Sequence, residues 1–195
     1  MERISVAMVR PHLRDLPTHP LRPDYRIRTF RPGEADVWAE IEASVGEFPS
    51  VERALAHFER EFGAHEEEMA TCCFFLEDAE GRPVGTTTAW HPNTTHPWPR
   101  APAEGEGYGR LHWVAIRPEH QGKGLSKPLV GAAMARLAEL YSRAYLTSQT
   151  TSWKAIKVYL DFGFEPLPTT PRWEEAWALL RQITRHPRLK EYATW

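Results

Sequence analysis

A strand that runs into a glycine-containing turn and then into a helix is the feature that most limits the fold of this chain. Residues 114–126 read Val-Ala-Ile-Arg-Pro-Glu-His-Gln-Gly-Lys-Gly-Leu-Ser. The apolar start is typical of a buried strand, and Pro118 ends it. Apolar residues then recur at helical spacing over 129–141, and a second short strand follows at 144–149. Residues 110–150 are therefore predicted to form a β-α-β unit.

The turn within this unit has the chemistry of a phosphate site. Glycines at 122 and 124 allow the backbone to approach a ligand closely and to adopt a positive φ. The exposed N–H groups of such a turn, together with the positive end of the helix dipole, can hold a pyrophosphate without a metal ion. A Walker A loop is excluded because no Gly-Lys-Ser or Gly-Lys-Thr closes the turn. A Rossmann fingerprint is excluded because only two glycines are present and they come late in the chain.

Two ordered motifs together resemble those of the GNAT family of N-acetyltransferases. The turn is similar to the family's acetyl-CoA motif, which is written Gln/Arg-x-x-Gly-x-Gly/Ala. A second family signature, in which a polar residue precedes Ala, Tyr and Gly-Phe, has its counterpart further along the chain. Two motifs in this order are more specific than either alone. The matching residues are Gln121 to Ser126 after Val114, Ala115 and Ile116, and then Ser152, Ala155, Tyr159, Gly163 and Phe164.

The resemblance implies a role for each matched position. Backbone amides of the turn would hold the pyrophosphate of acetyl-CoA, and the strand would pair with pantetheine as if it were another strand. One strand amide would then stabilise the oxyanion of the tetrahedral intermediate. Tyr159 would protonate the departing CoA thiolate, and Ser152, where the family often has Asn, would touch pantetheine. The expected cofactor-binding residues are Val114, Ala115, Ile116, Gln121, Gly122, Lys123, Gly124, Leu125, Ser126 and Ser152.

The reaction also requires a general base, because an amine with a pKa of about 10.4 must lose a proton before it attacks a thioester. Strand alternation predicts that His112 shares a face with Val114 and Ile116, so His112 is the first candidate, with a water chain as the alternative. A strand histidine is also commonly a hydrogen-bonded core residue. Glu104 and Glu106 are weaker candidates.

Tyr159 likewise has a structural alternative, because a tyrosine on the apolar side of a helix is commonly packed in the core. Two departures from the family pattern lie near the turn. Ser126 stands where the family has Gly or Ala, and its hydroxyl could donate to phosphate. Pro128 lacks the N–H that a regular helix would direct to the Gly124 carbonyl, which predicts an irregular first turn.

The rest of the chain supplies the remaining predicted elements. The resemblance implies an α/β fold with a GNAT-type mixed, mostly antiparallel sheet of six or seven strands, helices on both faces, and a splay near Ile116 that would hold the cofactor. We expect a single domain over residues 1–195. Its predicted parts are an extended N-terminal arm at 1–24, a strand at 25–29, helices at 33–46 and 50–63, a hairpin formed by 71–76 and 84–90, a loop at 91–109, and a helical stripe from Trp173 to Ile183.

Composition and charge predict where the protein is located and which classes of partner it lacks. A formal net charge of −2 over 195 residues argues against a dedicated nucleic-acid binder. The only cysteines, Cys72 and Cys73, would point to opposite faces of one strand and make a poor disulfide, which favours a reducing, cytoplasmic location. The sequence contains no 18-residue apolar stretch, and its N-terminal apolar run is too short for a signal peptide. We therefore expect neither nucleic acid nor membrane as a partner.

The predicted function is transfer of an acetyl group from acetyl-CoA, as acyl-donor substrate and without a metal, to a small-molecule or peptide amine. The alternatives are a non-catalytic acyl-CoA-binding regulatory module and a purely structural interaction domain. The sequence has no readable acceptor motif, although the aromatic residues could line an acceptor pocket. A homodimer is a further option. The candidate pocket residues are Trp90, Trp98, Tyr108 and Trp113.

Overall fold

The computed structural model describes residues 1–91 and 107–192 and contains one seven-stranded sheet with the strand order β2-β3-β4-β5-β6-β1-β7. The pairs β2–β3, β3–β4, β1–β6 and β1–β7 are antiparallel, whereas β5–β6 is parallel. The predicted mixed, mostly antiparallel sheet is therefore confirmed. The strands are β1 (Ser5–Arg10), β2 (Arg26–Thr29), β3 (Cys73–Glu77), β4 (Pro83–Trp90), β5 (Tyr108–Ile116), β6 (Arg143–Gln149) and β7 (Glu165–Leu167).

The first two helices follow the predicted apolar spacing. Ser50 caps the second helix, where its Oγ accepts a hydrogen bond from the Arg53 N–H at 3.3 Å. Gly46 follows the first helix with a φ of +79°. None of the described helices is both long and apolar enough to cross a membrane. The helices are α1 (Ala35–Ser44), α2 (Val51–Phe62), α3 (Glu66–Cys72), α4 (Ser126–Leu140), α5 (Trp153–Asp161) and α6 (Trp173–Thr184), with short 3-10 turns at Gly63–His65, Pro118–His120, Thr150–Ser152 and Pro187–Lys190.

The Cα positions group into two compact units. The first contains Met1–Leu16, His91–Arg110 and Leu137–Trp195, and the second contains Pro17–Trp90 and Leu111–Arg136. The expectation of a single domain stays a prediction.

The N-terminal residues require a correction, because β1 is a strand inside the sheet rather than part of an arm. It pairs with β6 on one side and with β7 on the other. Val6, Ala7 and Met8 are all fully buried, so the segment has no polar face and shows no alternation. The buried Thr150 fixes its start by accepting a hydrogen bond from the Ile4 N–H at 3.0 Å.

The two cysteines also require a correction. Cys72 is the last residue of α3 and Cys73 is the first residue of β3, so they do not share a strand. Both are buried free thiols. Met69 and Cys72 are both buried, and their i, i+3 spacing is that of one helix face.

The core of the second unit is an aromatic cluster under α1 and α2. Trp38 of α1 lies 5.4 Å from Phe58 and 5.9 Å from Phe62, measured between ring centroids. Phe30 packs on Phe58 at 5.7 Å and on Phe75 of β3 at 5.9 Å. This cluster fixes α2 against the sheet, and α2 carries part of the site described below.

One buried acid lies beside this core. Glu42 of α1 is 1% exposed, and within the described residues its Oε1 has no hydrogen-bond partner. Burial, with a smaller effect from the neighbouring Glu47, raises the pKa of Glu42 well above its usual value. Burial therefore favours the neutral form of this side chain.

Replacement of Glu42 by Gln is expected to stabilise the protein at neutral pH. An acid whose folded-state pKa is raised leaves stability intact below its unfolded pKa of about 4.3 and loses it as pH rises toward the folded value. The difference between Glu42→Gln and wild type should thus grow by about 1.4 kcal/mol per pH unit across that window. Urea unfolding from pH 4 to pH 8 measures it. The exposed Glu67→Gln serves as control, and a difference that does not change with pH contradicts the prediction.

Candidate functional site

The predicted phosphate turn lies between β5 and α4 and is exposed from residue 121 to residue 124. Gly122 and Gly124 have φ values of +74° and +79°. A Cβ at either position would meet nothing within 4 Å. Glycine is therefore required here by backbone conformation and not by lack of space.

Backbone N–H groups line this turn. Across residues 1–91 and 107–192, no hydrogen bond uses the backbone N–H groups of residues 122–126. Helix α4 begins at Ser126, so its first N–H groups and the positive end of its dipole adjoin the turn. Such an arrangement suits an anionic ligand such as a pyrophosphate.

The predicted irregularity at Pro128 is wrong. The first helical hydrogen bond runs from the Leu129 N–H to the Leu125 carbonyl at 3.2 Å, so Pro128 is the third residue of α4. The first residues of a helix have no intrahelical acceptor for their N–H groups. Proline at this position therefore costs no hydrogen bond, and its fixed φ suits the helix start.

Side-chain hydrogen bonds connect the turn at residues 121–124 to neighbouring parts of the chain. The Gln121 amide donates to the Ile116 carbonyl at 2.8 Å, which ties the turn to the end of β5. His120 Nδ1 and the Tyr25 hydroxyl are hydrogen-bonded at 3.0 Å, and Lys123 Nζ donates to the same hydroxyl at 3.5 Å. The Gln121 and Lys123 side chains thus support the turn, in agreement with a ligand site made of backbone.

Strand β5 is irregular at Trp113, whose φ is +47°. His112 and Trp113 are consecutive, yet both side chains bond to Glu61 of α2, and their rings lie 4.9 Å apart. Ile116, in contrast, packs in a separate apolar cluster with Leu125 and Leu129. The prediction that His112 shares a face with Ile116 is therefore wrong, because the left-handed residue interrupts the alternation of the strand.

The Glu61 carboxylate is the centre of a hydrogen-bonded group that we call the Glu61 cluster, which consists of His57, Glu61, His112 and Trp113. Its Oε1 lies 2.8 Å from His112 Nε2. Its Oε2 lies 2.9 Å from His57 Nε2 and 3.0 Å from Trp113 Nε1. The side chains of His112 and Glu61 are 10% and 22% exposed.

The ionisation of Glu61 follows from these contacts. Burial alone would raise the pKa of Glu61, but the hydrogen bonds from His112, His57 and Trp113 outweigh burial and lower that pKa well below its usual value. Glu61 is thus a carboxylate at neutral pH, and a carboxylate only accepts hydrogen bonds. His112 and His57 must both carry a proton on Nε2.

The remaining predicted residues belong to the first unit. Ser152 precedes α5, and its Oγ accepts a hydrogen bond from the Gln149 amide at 2.9 Å. Tyr159 of α5 is 6% exposed, and its ring meets that of Phe164 edge-on at 6.2 Å. Gly163 ends this helix with a φ of +79°. Glu104, Glu106 and Trp98 lie outside the described residues.

Sequence reasoning missed Glu61 and His57. Their only local signal is the i, i+4 spacing of a histidine and a glutamate on an amphipathic helix. The contact of Glu61 with His112 spans 51 positions and depends on the fold. Within the described part of the chain, no group of three or more His, Cys, Asp or Glu side chains is arranged to hold a metal ion.

Comparison with known proteins assigns the class. The family described as "Acetyltransferase (GNAT) family" matches residues 37–164, which include the turn, the Glu61 cluster and Tyr159. The chain belongs to this family.

The relatives in sequence are enzymes named mycothiol acetyltransferase. That of Saccharomonospora viridis is 31% identical over 148 residues, which cover 74% of this chain and 47% of the relative. That of Streptomyces coelicolor is 28% identical over 152 residues, which cover 77% of this chain and 46% of the relative. The chain spans about half the length of the curated relatives that it matches.

Solved structures share the fold. A GCN5-related N-acetyltransferase from Sphaerobacter thermophilus aligns with a TM-score of 0.61 at 20% identity, over 85% of this chain and 49% of that one. A glucosamine N-acetyltransferase region of a fungal multi-domain β-N-acetylglucosaminidase aligns with a TM-score of 0.63 at 13% identity, over 86% of this chain and 20% of that one.

Removal of the Glu61 charge is expected to lower stability at neutral pH. A carboxylate with a depressed folded-state pKa contributes stability above its unfolded pKa of about 4.3 and loses it as pH falls toward the folded value. Glu61→Gln should therefore lower the free energy of unfolding by about 2 kcal/mol at pH 7, and by less at pH 3. Urea unfolding measures both values. Glu59→Gln removes an exposed charge from the same helix and should change little. Equal stability of Glu61→Gln and wild type at pH 7 would contradict this.

Proposed function

We propose that the chain transfers the acetyl group of acetyl-CoA to an amine by direct attack of the amine on the thioester. The observation that carries this proposal is the turn at residues 121–126, whose backbone N–H groups and left-handed glycines suit a pyrophosphate. Membership of the GNAT family supports the same donor, because acetyl-CoA is the family's substrate.

The backbone of the second unit would bind most of the donor. Amides of Gly122 to Ser126 would hold the pyrophosphate, and the main chain of Val114, Ala115 and Ile116 would pair with pantetheine. An amide of this strand would then face the thioester carbonyl and stabilise the oxyanion, an effect of about 3 kcal/mol in comparable sites. Ser152 would contact the pantetheine arm.

The chemistry needs one base and one acid. The acceptor nitrogen attacks the thioester carbon, and its proton passes to His112. The tetrahedral intermediate then collapses, the C–S bond breaks, and the thiolate takes the proton of the Tyr159 hydroxyl. The products are an N-acetylated acceptor and CoA with a free thiol, and proton exchange with solvent returns His112 and Tyr159 to their starting forms. The ionised Glu61 lies beside His112 and would stabilise the imidazolium that forms. This contact supports the assignment of His112 as the base.

The acceptor that we infer is a small-molecule or peptide amine. A thiol-release assay with acetyl-CoA across amines, polyamines, amino acids, aminoglycosides and protein N-termini tests this directly. Precursors of mycothiol belong in the same panel because the curated relatives carry that name. Tight CoA binding without turnover on any acceptor would instead favour the non-catalytic acyl-CoA-binding module, and absence of CoA binding would favour a structural domain.

The role of the turn is tested by a pair of matched glycine variants. Gly124 and Gly46 both have a φ of +79° and open space at the position of a Cβ. Gly124→Ala and Gly46→Ala should each lower the free energy of unfolding by about 1 kcal/mol, because both place a Cβ in a left-handed conformation. Only Gly124→Ala should weaken CoA binding in isothermal titration. Equal CoA affinity of both variants would remove the turn from the proposal.

The role of Tyr159 is tested by removal of its hydroxyl. Tyr159→Phe should lower kcat about 100-fold with any acceptor found, and should leave the Kd for CoA nearly unchanged. Tyr141→Phe is the matched control in the same unit, because the Tyr141 hydroxyl contacts His91 at 2.8 Å and has no role in the proposed chemistry. Steady-state kinetics with acetyl-CoA give the answer. Unchanged turnover of Tyr159→Phe would exclude Tyr159 as the acid.

A further inference from the structure

The Glu61 carboxylate accepts more hydrogen bonds than a contact with a single histidine would supply. Three N–H donors, from His57, His112 and Trp113, converge on one carboxylate that is mostly buried. Two come from different elements, α2 and β5, and the third comes from the left-handed residue of β5. An isolated carboxylate beside a histidine would not need such an arrangement.

The contacts determine which nitrogen of each histidine carries a proton. Arg60 can only donate, so His57 Nδ1 accepts from it at 2.5 Å and His57 donates to Glu61 through Nε2–H. His112 also donates to Glu61 through Nε2–H. A further proton on His112 must therefore go to Nδ1.

We propose that Glu61 is a positioning residue, which holds His112 as the Nε2–H tautomer so that Nδ1 takes the proton of the acceptor amine. The inference rests on the proposed acetyl transfer and deepens it. In the step itself, the amine nitrogen forms its bond to the thioester carbon while the N–H proton moves to His112 Nδ1. The resulting imidazolium keeps its Nε2–H bond to Glu61, which stabilises the new charge.

Glu61 itself is unsuited to be the base. Its oxygens already accept hydrogen bonds from three donors, and its lowered pKa means that it binds a proton poorly at neutral pH. The histidine that it orients is the better acceptor near pH 7.

Glu61 contacts two residues of β5, His112 and Trp113, and the conformation of Trp113 determines where His112 lies. The left-handed conformation of Trp113 interrupts the alternation, so that His112 faces α2 and packs near Phe62, with ring centroids 6.3 Å apart. The indole packs on Trp38 at 5.3 Å and on Phe48 at 5.4 Å while its N–H bonds to Glu61. Glu61 thereby contacts both the left-handed Trp113 and the His112 ring, whose direction depends on Trp113.

Among the described residues, the charged groups that contact His112 directly or through Glu61 lie on α2. Glu61 contacts it directly, His57 contacts Glu61, and Arg60 contacts His57. A change in the pH profile of His112 should therefore follow Glu61 first and His57 second.

The test is the tautomer of His112 by NMR of imidazole-15N-labelled protein without substrate. Wild type should show neutral His112 with its proton on Nε2. Glu61→Gln should lose this preference and move the acidic limb of the kcat/KM profile to lower pH by about one unit or more, because the imidazolium loses its ion-pair partner. Its kcat should fall at least about tenfold with the KM for acetyl-CoA unchanged.

Two further variants serve as controls. Glu59→Gln, on an exposed position of the same helix, should keep the tautomer and the profile. His57→Gln keeps an N–H donor near Glu61 and should also keep the tautomer. A proton on His112 Nδ1 in wild type would overturn the proposal, as would a Glu61→Gln protein with unchanged tautomer and pH profile. If Glu61→Gln does not fold, the wild-type spectrum alone decides. The spectrum needs neither CoA nor acceptor, so its outcome is independent of the CoA titrations that test the proposed function.

Discussion

The hydrogen bonds of Glu61 join helix α2 to strand β5 at Trp113, where β5 leaves regular strand geometry. A left-handed Trp113 costs about 1–2 kcal/mol and persists only where its surroundings determine it. Here the indole N–H bonds to Glu61 while the ring packs in the aromatic cluster of the second unit. The orientation of His112, and with it the acceptor half of the proposed chemistry, depends on this arrangement.

The two halves of the proposed site use different physics. The donor half is made of backbone: left-handed glycines at 122 and 124, the N–H groups of the turn, and the start of α4. A site made of backbone depends little on side-chain identity. The acceptor half is made of side chains whose function depends on protonation, and one wrong contact at Glu61 would change it. The donor half is therefore the part that a sequence motif can encode.

Much of the fold can be predicted from local sequence, because the apolar spacing of neighbouring residues indicates the amphipathic helices and Pro118 indicates the end of β5. The exceptions have physical causes. The prolines between residues 11 and 23 favour an extended arm, and β1 is buried on both faces and lacks the alternation that would mark it as a strand. Pro128 predicts an irregular first turn, but α4 begins at Ser126, and a proline so near the helix start costs no hydrogen bond.

The acceptor half of the site was less predictable. His112 could be found from its place on β5, but not its partner, since Glu61 lies 51 positions away and meets it only through tertiary packing. The side of the strand on which His112 lies was also hidden. Trp113 is not a glycine, and nothing in its neighbours indicates a positive φ.

The central claim is that the backbone of residues 122–126 binds the pyrophosphate of acetyl-CoA. Amide NMR of 15N-labelled protein during addition of CoA tests it most directly. The account predicts that the N–H signals of Gly122, Lys123, Gly124, Leu125 and Ser126 shift most, in step with the titration. CoA binding that leaves these amides unchanged, or no binding at all, would contradict it.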